Sequence, residues 1–108
     1  MSWFYILIAS FFEICWAVGL KYSNGFTEVK PTTFTIITMI LSYVFLALGS
    51  KNLPIGTAYA VWTGIGAVGT AIYGMLFFNE PKELVRIFFI FLIVVGIIGL
   101  KLTYKTTA

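Results

Sequence analysis

Polar positions in this chain gather in short clusters, and the stretches between them are almost wholly apolar. The first apolar run, Trp3–Leu20, closes at Lys21-Tyr22-Ser23-Asn24-Gly25, where a charge and an Asn-Gly pair mark a turn. The second, Thr33–Ser50, carries no charge and begins just after Pro31, a residue tolerated at a helix start and costly inside one. Lys51-Asn52-Leu53-Pro54 makes a tight connection to the third run, Ile55–Phe78, which only glycines interrupt. After the charged stretch Asn79-Glu80-Pro81-Lys82-Glu83 comes the fourth run, Leu84–Tyr104, with Arg86 near its start and Lys101 and Lys105 near its end, where long basic side chains reach lipid headgroups. Each run is about 20 residues, the length that crosses a bilayer core. All three prolines fall at helix entrances, so apolar runs and punctuation agree. The pattern predicts an all-α integral membrane protein: residues 1–108 as a single domain of four transmembrane helices.

Composition strengthens this picture. Hydrophobic residues make up 60% of the 108 positions and charged ones 10%, with a mean hydropathy of +1.00. A soluble domain of this size could not hide so much apolar surface. The net charge of +3 comes from scattered lysines and one arginine, not the basic stripe that a nucleic-acid surface needs. Cys15 is the only cysteine and histidine is absent, which leaves no disulfide, no zinc site and no cofactor motif. The first basic residue, Lys21, follows the apolar run; a cleaved signal peptide carries its charge before it.

Charge changes the picture once more. Four spans place both termini on one side, with Lys51, Lys101 and Lys105 there and Lys21, Lys30, Lys82 and Arg86 opposite, three against four. The excess of Lys and Arg that normally fixes orientation is missing. A partner that decides the orientation would account for this; so would insertion both ways and pairing as an antiparallel dimer. Size favours the second reading, because alternating access generally uses two repeats related by a pseudo-two-fold axis and no internal repeat is visible. Two copies in opposite orientations supply that symmetry.

Of the four acids, only Glu13 lies inside an apolar run. A carboxylate at that depth has to find a partner, take up a proton or serve a pathway. Trp16 and Ala9 share its helical face; an indole N–H can serve a carboxylate, and a ring face can hold a planar cation. Ser42 and Tyr43 are polar at mid-depth in the second run, although a serine in such a helix often bonds its own backbone. Tyr59 and Trp62 put an O–H and an N–H on one face of the third, suited to orienting a carboxylate or lining a cation path. Gly64, Gly66, Gly69 and Gly74 follow, allowing either close packing or bending. Gly96 and Gly99 mark a helix–helix contact face on the fourth.

These residues together are familiar. Glu13 in the first helix, Lys21-Tyr22-Ser23-Asn24-Gly25-Phe26-Thr27 after it, the string Pro54-Ile55-Gly56-Thr57-Ala58-Tyr59-Ala60-Val61-Trp62-Thr63-Gly64-Ile65-Gly66, and Gly96-Ile97-Ile98-Gly99-Leu100-Lys101 resemble the small multidrug resistance family over essentially the whole chain. Trp16 and Ser42 make the sequence similar to its guanidinium-exporting branch rather than its quaternary-ammonium branch. The resemblance implies a bacterial inner-membrane antiporter in which Glu13 exchanges protons for a small cation, Trp16 and Ser42 hold Glu13 by hydrogen bonds, and Tyr59 and Trp62 complete the site. It also implies an antiparallel homodimer inserted in both orientations. Ser10 departs from the Gly or Ala expected beside the site, which bears on pocket width. An exporter of hydrophobic or quaternary cations is the nearest alternative, and a non-transporting accessory subunit a remoter one. No histidine, no nucleophile with a neighbouring base and no phosphate loop point to an enzyme.

Overall fold

The computed structural model describes the backbone of residues 2–107 and the side chains of residues 2–103, so Met1, Ala108 and the side chains of residues 104–107, Tyr104 and Lys105 among them, lie outside the described residues. Four helices follow one another: α1 (Ser2–Tyr22), α2 (Val29–Gly49), α3 (Ile55–Phe77) and α4 (Leu84–Thr107), each long and apolar enough to cross a membrane. The sequence pattern located all four. It erred most at the head of α2, which starts at Val29 and not Thr33, leaving Pro31 inside the first turn. The reason is that the first four N–H groups of a helix have no intrahelical acceptor, so proline sacrifices nothing there; the chain's first turn closes with Thr32 N–H donating to Glu28 O at 3.0 Å.

Between α1 and α2 the backbone reverses through three residues with positive φ, Asn24 (50°), Gly25 (72°) and Phe26 (69°). Buried Ser23 ties this turn together: its hydroxyl donates to Leu20 O at 2.8 Å and accepts from Phe26 N–H at 3.2 Å.

Helices α1, α2 and α3 pack on one another, with α1 against both of the others, and among the described residues the α4 backbone comes close only to that of α3. Principal extents of 45 × 35 × 16 Å describe a flattened molecule. The buried apolar core is correspondingly small: Ile6, Ala9, Leu46, Leu53, Ala58, Val61 and Trp62. Many phenylalanines, leucines and isoleucines are exposed on the surface, as they are where the solvent is lipid. In lipid, apolar burial gives helices little reason to associate, and small residues that allow close approach take over. Accordingly Gly49 lies against Ile6, Gly19 against Thr35, Gly69 against Ile14, and Gly64 against Ile97 of α4.

Candidate functional site

The middle of α1 faces both α2 and α3, and the polar side chains of all three helices meet there. Ala9 is fully buried on α1 and its carbonyl accepts from the Ser42 hydroxyl of α2 at 2.7 Å. The same Ser42 oxygen accepts from Trp62 Nε1–H of α3 at 2.9 Å. One small hydroxyl thus links three helices, and it fixes the indole ring in place. Two tyrosines lie on that ring, Tyr43 and Tyr59, each with centroids 5.5 Å away and planes tilted by 49°.

One turn further along α1, the Glu13 carboxylate rests directly on Gly66 of α3. A Cβ at Gly66 would clash with Oε1 and Cδ of Glu13 and come within 2.9 Å of its Cγ. Glycine at this point leaves room for the carboxylate, which a Cβ would push aside. Glu13 Oε1 is buried and receives no hydrogen bond within the chain; Trp16 Nε1 is likewise buried without an acceptor. A carboxylate oxygen held away from water and donors is costly, and the deficit is met by a proton or a cation. That makes the α1–α3 seam a place where either can bind.

The sequence reading is therefore amended in several details. Ser42 does not hold Glu13, since its single proton goes to Ala9; nor does it bond its own helix. Trp62 cannot offer its N–H to the carboxylate, having given it to Ser42. Trp16 donates to no acceptor within the protomer, so the expected Trp16–Glu13 hydrogen bond is absent among the described residues. Gly64 packs on α4, whereas Gly66 seats the carboxylate. Ser10, beside the site, returns its proton to Ile6 O at 2.7 Å and so adds no free donor. Around Gly96 and Gly99 nothing lies within 4 Å of a would-be Cβ, so the chain leaves that face of α4 open. Tyr22 and Tyr73, whose hydroxyls meet at 3.1 Å, are a contact that spacing did not reveal, since it joins α1 to α3 across 51 positions.

A groove of about 620 Å³ lies elsewhere, along Phe11, Cys15, Val18, Tyr22, Lys30 and Phe34, and Glu13 does not line it. Its walls are nearly all apolar, which suits acyl chains better than a hydrophilic cation; the seam at Glu13 carries the polar chemistry.

The sequence profile of the Small Multidrug Resistance protein matches residues 1–93. The chain belongs to the small multidrug resistance family. Three members of the family show how near the relationship runs. A protein of Proteus vulgaris named guanidinium exporter is 54% identical over 102 residues, which cover 94% of this chain and 98% of the relative. Guanidinium exporters of Salmonella typhimurium and Yersinia pestis are each 53% identical, over 95% and 94% of this chain and 98% of the relative in both cases. The chain is accordingly a multi-pass transporter of the bacterial inner membrane, and not an enzyme.

Proposed function

We propose that this transporter exports guanidinium in exchange for protons, and that both bind at Glu13. The observation that carries the reading is the unpartnered Glu13 Oε1, buried between α1 and α3 on a glycine that leaves it room. The relatives named guanidinium exporters support the choice of cation. Guanidinium suits a carboxylate because its planar N–H groups pair with two oxygens at once and its charge persists at any physiological pH. Were proton and guanidinium to occupy the same carboxylate, each would expel the other. Coupling then needs only that the protein switch between its inward and outward openings when one of them is bound, and not when empty.

The working unit in this account is an antiparallel homodimer. Three features support it: the balance of basic residues on the two sides, a flattened protomer with a small buried core, and an open apolar face on α4 around Gly96 and Gly99. Two Glu13 carboxylates would then share the site and titrate as a coupled pair. Inward and outward openings would be equivalent by symmetry, leaving the proton gradient to set direction.

Reconstitution tests this. Purified protein in liposomes, given a guanidinium gradient, should drive protons the opposite way, read from an internal pH dye. A response to quaternary ammonium ions but none to guanidinium would place the chain with exporters of hydrophobic cations, and silence with both would favour an accessory subunit.

A further inference from the structure

Four buried side-chain polar atoms among the described residues have no hydrogen-bond partner: Glu13 Oε1, Trp16 Nε1, Thr32 Oγ1 and Thr70 Oγ1. Thr32 stands in the first turn of α2, whereas the other three belong to the α1–α3 pair. The register of that pair brings them together. Glu13 lies against Gly66 and Ile14 against Gly69, offsets of 53 and 55 positions between two helices that run parallel. Thr70 stands 54 positions beyond Trp16, and so at its level. It also follows Gly66 by one turn on the same side of α3, about 6 Å along the axis from the glycine beneath the carboxylate.

A threonine inside a helix ordinarily gives its proton to the carbonyl four residues back. Thr33, Thr35 and Thr38 of this chain all do so, each at 2.8 Å. Thr70 does not, and its hydroxyl keeps both its proton and its lone pairs uncommitted. Leaving a buried hydroxyl unpaired is unfavourable unless something arrives to pair with it.

We propose that Thr70 is a further substrate-binding residue, its Oγ1 accepting an N–H of the cation that Glu13 holds. This rests on the reading of Glu13 as the guanidinium site. Guanidinium brings more N–H groups than one carboxylate can accept, and in a site shut off from water the rest need acceptors. Trp16 cannot help, because an indole nitrogen only donates. The Thr70 hydroxyl is an acceptor at the right level, and it would favour a cation with N–H groups on that side over one whose nitrogens are alkylated.

Titration calorimetry of the purified protein with guanidinium chloride decides the matter, using wild type, Thr70→Val and Thr70→Ser, with thermal unfolding measured on each. The valine keeps the shape and removes the hydroxyl; the serine keeps the hydroxyl. The expected result is about tenfold weaker binding in Thr70→Val, the loss of one hydrogen bond to a charged group, and affinity within about twofold of wild type in Thr70→Ser, with unfolding temperatures unchanged. Equal binding by wild type and Thr70→Val would overturn the assignment while leaving Glu13 as the site. Equal losses in both variants would also overturn it, because the hydroxyl would then not be the feature that matters. No binding by wild type would instead remove the guanidinium reading itself.

Discussion

Replacing Gly66 by alanine sets two effects of known size against each other. In the middle of a helix alanine is favoured over glycine by about 0.5–1 kcal/mol, so helix propensity alone predicts a more stable protein. The structure predicts the reverse outcome for function. The added methyl would clash with the Glu13 carboxylate and lie 2.9 Å from its Cγ, where an ordinary contact is 3.4–4 Å. Glu13 is a flexible side chain and can move, but its carboxylate would have to shift by about 1 Å to restore ordinary contact. Forced repacking of this kind costs about 1–3 kcal/mol, which cancels or exceeds the propensity gain. If Glu13 is the proposed binding carboxylate, its displacement by that distance should weaken guanidinium binding by roughly 10- to 100-fold, a misplacement of about 1 Å being enough for losses of this order. Gly56→Ala is the control, because a Cβ at Gly56 meets nothing within 4 Å. The assay is calorimetric guanidinium affinity beside the unfolding temperature for both variants. If Gly66→Ala bound guanidinium as wild type does, the seat assigned to the carboxylate would be wrong.

Three further outcomes follow from the same geometry. Ser42→Ala deprives both Ala9 O and Trp62 Nε1 of their partner, so unfolding monitored by tryptophan fluorescence should show a loss of about 1–3 kcal/mol, and a smaller loss would mean the three-helix link is weaker than its distances imply. Gly96→Leu with Gly99→Leu should leave the helical content of the chain intact, because both positions face open space, yet abolish the proposed dimer in crosslinking and light scattering; an unaffected dimer would move the proposed interface off this face. Arg86→Gln removes the 2.8 Å ion pair to Glu80, and since both side chains are about a third exposed or more, stability should fall by less than about 1 kcal/mol in thermal unfolding.

Much of the fold was legible because lipid imposes it. Every backbone polar group within the bilayer needs a partner from its own segment, so a long apolar run between polar clusters has to be a helix. The depth of Glu13 was legible for the same reason, as a charge in the wrong solvent. What the sequence did not disclose is how the helices register against one another. Ser42 reaches Ala9 across 33 positions, and Gly66 lies under Glu13 rather than elsewhere on α3, only because α1 and α3 run side by side with one particular offset. Intrahelical spacing carries no information about that offset. It could not separate Gly64 from Gly66, two positions apart, of which one touches α4 and the other touches the carboxylate. Thr70 went unnoticed because a threonine in a helix usually satisfies itself.

The central claim is that a proton and a guanidinium ion compete for Glu13. Counting protons released as guanidinium binds to the purified protein, over a range of pH and beside Glu13→Gln, tests it most directly. The account predicts that guanidinium expels protons, that its affinity falls as the solution is made more acid, and that Glu13→Gln neither binds it nor releases a proton. Guanidinium binding retained by Glu13→Gln, or binding by wild type that releases no proton at any pH, would contradict it.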